Sequence, residues 1–181
     1  MNMYYIAIVA PEEINKQILK WKNFFKENFQ CSAALKSPAH ITLIPPFWMN
    51  EELERDLVDS ITDLSGRLTS FRIQLKDFSA FTPKVIFVDI IESEMLNILY
   101  HSTNKYIQQQ NKFPVKEDGR PFQPHVTLAT RDLYKKDFYE AWERFATKKY
   151  EAFWDVNGIS LLRHNKKNWD VIFTSQFDFE D

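Results

Sequence analysis

The sequence predicts an α+β fold of two similar lobes flanking a cleft, and three observations carry that reading. The first is a repeated order: each half reads strand, helix, a strand carrying His-x-Thr, helix, then further strands. The two motif histidines are offset by 125 − 40 = 85 positions and the strands that open each half by 84 − 3 = 81. The second is the short turn around Thr82-Pro83, which joins the Phe71 region to the next strand and favours antiparallel pairing over a doubly wound parallel sheet. The third is composition. With 181 residues, 44% of them apolar and including 16 Phe and 5 Trp, the chain builds a packed interior without metal or disulfide staples.

The elements follow in order. Met3 to Ala10 is β-rich and short, and stops at Pro11-Glu12-Glu13. Proline suits a first helical turn and acids there complement the helix dipole, so a helix starts here, with Ile14, Ile18, Trp21 and Phe25 on one face. His40 to Ile44 is a strand ending at Pro45-Pro46. Asn50 is placed to cap a helix from about Glu51 to Leu64, closed by Gly66. Phe71 to Leu75 alternates as a half-exposed strand. The second half repeats the pattern, with a strand Lys84 to Ile91, a helix Glu94 to Gln109, and a strand beginning at His125. A helix from about Lys136 to Ala146 and closing strands near Val156 to Leu162 and Trp169 to Phe179 complete it. The expected organisation is one domain, 1–181, made of lobes at about 1–80 and 81–181.

Several function classes are disfavoured by bulk properties. A formal net charge of −2 draws no long nucleic acid onto the surface, so an RNA substrate would meet a local site holding a few nucleotides. Cys31 is the only cysteine and no run reaches the ~20 apolar residues of a membrane span, so a soluble cytoplasmic protein is expected.

His-x-Thr means little alone. With 4 His and 9 Thr in 181 positions, chance supplies about 0.2 occurrences. Two are present, each just after a proline, each followed by Leu, and each at the same point of the repeat. Strand side chains alternate, so His40 shares a face with Thr42, and His125 with Thr127. Two such strands facing one another collect two imidazoles and two hydroxyls in one small volume. Phosphoester hydrolysis uses that set. One imidazole takes a proton from water, the other gives one to the leaving oxygen, and the hydroxyls bind the non-bridging oxygens as charge builds. The competing explanation, strand histidines with satisfied bonds and threonines chosen for β-propensity, does not account for two motifs in register. Metal chemistry lacks a ligand set, because there is no His-x-His, Glu-x-x-His or cysteine cluster. A serine or cysteine nucleophile lacks its Gly-x-Ser-x-Gly frame.

Pro38-Ala39-His40-Ile41-Thr42-Leu43 and Arg120-Pro121-Phe122-Gln123-Pro124-His125-Val126-Thr127-Leu128-Ala129 resemble the paired signatures of the 2H phosphoesterase superfamily, in its LigT-like or 2′-5′ RNA ligase branch. The resemblance covers essentially the whole chain. It implies a bilobal pseudo-two-fold fold, with two antiparallel sheets lining a V-shaped cleft and helices outside. It also implies hydrolysis of 2′,3′-cyclic phosphate ends, or of related cyclic or 2′-5′ phosphodiesters, with no metal or other cofactor. By motif match His40 and His125 are the catalytic pair and Thr42 and Thr127 the phosphate ligands. The resemblance makes His125 the base and His40 the acid; the residues themselves, nearly symmetric, leave that order open. The family's arginine after the second motif corresponds to Arg131, here displaced by Thr130, and Leu162-Arg163-His164 replaces the aromatic and serine common near the C-terminus.

Phe47, Trp48 and Phe122 are candidates to stack a nucleobase at the cleft mouth, with lobe packing as the alternative. Arg120 and Arg131 are candidates to add positive charge beside the phosphate, and Lys112 and Lys116 are expected to be solvated. His101 and His164 are assigned no chemistry, and Cys31 is a packing residue. The expected partner is an RNA 2′,3′-cyclic phosphate end or a small nucleotide, with no membrane and no obligate protein partner. Small cyclic nucleotides, 2′-5′ oligoadenylates and RNA-end binding without turnover are the alternatives.

Overall fold

A computed structural model describes residues 1–116 and 119–178. Its elements are β1 (Asn2–Val9), α1 (Glu12–Phe29), β2 (His40–Met49), α2 (Glu54–Ser65), β3 (Phe71–Phe81), β4 (Val85–Ile90), α3 (Glu94–Gln109), β5 (His125–Ala129), α4 (Lys135–Phe145), β6 (Glu151–Val156), β7 (Gly158–His164) and β8 (Trp169–Gln176), with 3₁₀ turns at Ala33–Lys36 and Glu51–Leu53. They form two four-stranded antiparallel sheets, ordered β2-β1-β7-β8 and β5-β4-β3-β6. This is the bilobal α+β architecture expected from the repeat.

The sheets do not divide at residue 80. β3, from the first half, pairs with β4, while β7 and β8, from the second half, pair onto β1. A strand takes the neighbour that covers both of its edges, and β1 has β2 on one side only until β7 arrives. The pseudo-two-fold therefore relates sheet positions: β2 to β5, β1 to β4, β7 to β3 and β8 to β6. Two adjacent strands of different sheets, β6 and β7, are separated by the single residue Asn157.

Other departures have local causes. β2 does not stop at Pro45-Pro46 but continues to Met49, because the register against β1 slips there and a bulge takes the prolines, both exposed, out of the ladder. The two slips add two residues in all, so the odd positions Ile41, Leu43, Phe47 and Met49 face the core on both sides of the bulge. Asn50 accepts a hydrogen bond from the Glu52 N–H, opening a 3₁₀ turn before α2 begins at Glu54. Gly66 follows α2 with right-handed φ (−63°) instead of a left-handed cap. β6 was not anticipated: its Glu151-Ala152-Phe153-Trp154-Asp155-Val156 alternation is that of an edge strand with one wet face. The last strand ends at Gln176, and the anticipated end at Phe179 lies outside the described residues.

Each crossover helix leans on the motif strand of the opposite sheet, α1 on β5 and α3 on β2. The core is continuous and aromatic beneath α1, where Phe145 lies 4.9 Å from Phe25 and 5.1 Å from Phe78 (ring centroids), with Trp21 4.9 Å from Phe78. Polar clamps fix the same contacts. Asp132, after β5, accepts from the backbone N–H groups of Ser32 (2.9 Å) and Ala33, and Asn104 on α3 donates to the Leu43 carbonyl at 2.9 Å. The two motif strands are thus held from behind by the opposite half.

Candidate functional site

β2 and β5 lie against each other where the sheets meet, and each starts with its motif histidine. Alternation leaves Ile41, Leu43, Val126 and Leu128 in the core, with His40, Thr42, His125 and Thr127 half-buried on the other face. The motifs therefore put His40 with Thr42 on one face of β2 and His125 with Thr127 on one face of β5, on strands that touch. Thr42 and His125 line one groove, and the charge of His125 is felt at His40.

Both rings are anchored alike. His40 Nδ1 lies 2.7 Å from the Pro38 carbonyl and His125 Nδ1 2.7 Å from the Gln123 carbonyl. A carbonyl only accepts, so each Nδ1 carries its hydrogen and Nε2 is the nitrogen left to exchange a proton. In both cases the acceptor is the carbonyl two residues before the histidine, which belongs to the proline itself at the first motif (Pro38) and to the residue before the proline at the second (Gln123). Among the described residues no hydrogen bond engages the hydroxyl of Thr42 or Thr127.

Burial lowers the pKa of both histidines. For His40 it is the largest cause, partly opposed by the Pro38 carbonyl and reinforced by the positive charges of Lys22 and His125, and the value falls to about 4. For His125 burial again leads, while the Gln123 carbonyl and the Asp89 carboxylate act in the opposite direction. Beside His40, the Tyr5 ring lies at 5.0 Å, tilted by 43°, and its hydroxyl bonds that of Ser37 at 3.1 Å, while burial raises the phenol's pKa. A row of rings continues outward, Trp169 at 4.7 Å from Tyr5 and His164 at 4.9 Å from Trp169. On the other side Phe87 and Phe81 lie 4.9 and 5.1 Å from the His125 ring.

Lys22 on α1 is 4% exposed and donates to the Ser37 carbonyl at 2.9 Å. Burial lowers its pKa from 10.5 to about 8, which corresponds to a cost of about 3 kcal/mol for keeping it charged at neutral pH. Lys22→Met is therefore expected to stabilise the protein by about 1–2 kcal/mol at pH 7, after loss of the carbonyl bond. The unfolded chain binds more protons at this site between pH 8 and 10.5, so wild-type stability rises with pH across that window and the variant's advantage shrinks. Urea midpoints at pH 7 and pH 10 check both statements.

The remaining candidates separate. Phe122 stacks on Tyr100 (3.9 Å, 9°) and lines the groove beside His125, with Pro46, Phe81, Lys84 and Arg120 along its walls. Phe47 does not reach the cleft. The strand continues past Pro45-Pro46 with its alternation kept, so Phe47 falls on the core side with Ile41 and Leu43, 8% exposed against Tyr4, and Trp48 faces outward. Arg131 is exposed in the turn past β5, on the order of 15–20 Å along the strand from His125. Arg163 points to the core side, with its guanidinium 2.8 Å from Glu54. Tyr5, Lys22, Trp169 and Asp89 went unread as site residues; laying the first strand of one half over that of the other pairs Val9 with Asp89 and exposes the last of them. Among the described residues no three His, Cys, Asp or Glu side chains group as a metal ion would need. No helix among them is long and apolar enough to cross a membrane.

Known proteins share this fold. The chain is 23% identical over 177 residues to a protein of Geobacillus kaustophilus that carries a phosphoesterase name, with 94% of each covered. Its fold is similar to TT0787 of Thermus thermophilus (TM-score 0.68, 19% identity, all of both chains). It is also similar to LigT of E. coli solved with 3′-AMP (TM-score 0.65, 19% identity, 98% of this chain and 99% of that one). The model of the 2′-5′ RNA ligase superfamily matches residues 10–168, from just after the first strand to just before the last, both motifs included, and the chain belongs to that superfamily.

Proposed function

We propose that this protein is a metal-independent phosphodiesterase that opens 2′,3′-cyclic phosphates at RNA ends or on nucleotides. The observation that carries the reading is the matched pair of imidazoles, each locked through Nδ1 so that Nε2 alone can move a proton, with a threonine hydroxyl two residues along on the same face. In the reaction one neutral Nε2 takes a proton from water as its oxygen bonds to phosphorus. The other, protonated, delivers its proton to the ribose oxygen as the P–O bond breaks, and a phosphomonoester results. Thr42 and Thr127 donate to the non-bridging oxygens, where negative charge accumulates. The groove beside the pair, about 640 Å³ and walled by Phe81, Tyr100 and Phe122, matches the size and lining of a small-ligand site and is suited to a nucleoside. Binding of 3′-AMP by LigT supports a nucleotide substrate here.

The test sets 2′,3′-cyclic nucleotides, oligoribonucleotides with cyclic ends and 2′-5′ adenylates side by side in EDTA. Turnover of the cyclic phosphates supports the reading; binding without turnover of any of them refutes it. Thr42→Val and Thr127→Val are each expected to lower kcat by roughly 10²-fold with a smaller change in KM, because a donor used in the transition state is lost.

A further inference from the structure

The duplicated site is symmetric in shape but not in charge. Opposite His125 on the neighbouring strand stands Asp89; opposite His40, at the related position of β1, stands Val9. Asp89 therefore shares the face of His125 across one ladder rung, exposed, with one carboxylate oxygen accepting from the Ile90 N–H at 2.9 Å. The helices break the symmetry again. Ten residues into α1 is Lys22, buried behind His40 and bound to the carbonyl one residue before the one that anchors the ring. Ten residues into α3 is the neutral Asn104, bonded to the Leu43 carbonyl.

We propose that, within the phosphodiesterase reading above, His40 is the general base and His125 the general acid, with Lys22 and Asp89 as positioning residues that set which imidazole carries the proton. This reverses the order the family resemblance implies. A buried ammonium behind His40 disfavours a second positive charge there, so that ring is neutral and accepts from water. A carboxylate beside His125 favours the imidazolium, so that ring holds the proton the ribose oxygen needs. The other groups facing His40 are Tyr5, kept uncharged by burial, and His125 itself. Beyond Tyr5 and Trp169 lies His164. Around His125 the groove also carries Lys84 and Arg120, and Glu92 lies with Asp89 in the adjoining one. Burial, joined by Lys22 and His125 and opposed by the Pro38 carbonyl, brings His40 to about 4; burial lowers His125 too, but there the Gln123 carbonyl and Asp89 act in the upward direction.

The experiment uses bis(p-nitrophenyl) phosphate, whose leaving group departs without a proton, beside a 2′,3′-cyclic nucleotide. With the acid dispensable, rate against pH reports the base alone. We expect His125→Ala to keep p-nitrophenyl ester hydrolysis within about tenfold of wild type and His40→Ala to lose it by about 10³-fold. On this ester the single limb should move to higher pH by roughly half a unit or more in Lys22→Met and stay in place in Asp89→Asn. On the cyclic nucleotide Asp89→Asn should move the alkaline limb to lower pH. Nitrogen-15 NMR of the imidazoles in the wild type should find His125 titrating above His40, and that order should narrow in both variants. Retention by His40→Ala with loss in His125→Ala, or an ester limb that follows Asp89→Asn, overturns the assignment while leaving the phosphodiesterase intact. Turnover of neither diester by the wild type refutes the underlying reading instead.

Discussion

Replacing His40 or His125 by alanine is expected to cut hydrolysis of a 2′,3′-cyclic nucleotide by about 10³-fold or more, and replacing both to cost little beyond either alone. A ribose oxygen is a poor leaving group and water a poor nucleophile, so each proton transfer is useless without the other and the two losses do not add. The measurement is kcat/KM for the two single variants and the double variant on the same substrate, with circular dichroism to show that each is folded. The fold should tolerate these changes. Both rings are half-buried on the cleft face, each bonded to a local carbonyl, while their strands are held by core neighbours such as Ile41, Leu43, Val126 and Leu128. Full activity in a folded His125→Ala protein on the cyclic substrate would remove the two-histidine mechanism, and multiplicative losses would show two independent groups.

The largest stability effect is expected at Phe145. It is 2% exposed and its ring meets those of Phe24, Phe25 and Phe78 at 5.7, 4.9 and 5.1 Å, where α1, α4 and β3 converge. Phe145→Ala empties that junction of an aromatic ring, and surrounding side chains from three elements cannot all close on the gap, so a loss of about 3–5 kcal/mol follows. Phe153, 58% exposed on β6, is the control, and its alanine variant should stay within about 0.5 kcal/mol of wild type. Denaturant midpoints with unchanged slopes check both. A small effect at Phe145 would mean that α1 repacks, and α1 carries Lys22, so His40's titration would then shift with it.

What the sequence made legible follows from how local each signal is. α3 was read end to end because Ser93 caps it, Leu96, Leu99 and Ile107 keep one face buried, and nothing tertiary competes. The antiparallel β3–β4 pairing followed from the few residues at Thr82-Pro83. The four motif residues were legible because strand alternation alone decides their face. Phe47 obeys that same alternation, which sends Ile41, Leu43, Phe47 and Met49 to the core; ending the strand at Pro45-Pro46 hid it, and the strand continues only because β1 pairs with it past the prolines. The division into halves failed where a strand's partner is chosen across the whole chain, as for β7 on β1. A lysine on an amphipathic helix, such as Lys22, carries no local signal of burial. Its burial comes from the segment around Ser37 folding over it, which no spacing within α1 records.

The return of β7 to β1 also orders events in time. β1 is an inner strand, yet during synthesis it waits from Asn2 until Gly158–His164 has emerged before its second edge is covered. The four strands of the other sheet, β3 to β6, run consecutively from Phe71 to Val156 and need nothing later in the chain to pair. Contacts close in sequence form sooner than distant ones. The sheet carrying His125 thus has all of its strands available first as the chain emerges, and the sheet carrying His40, though begun first, is the last that can close.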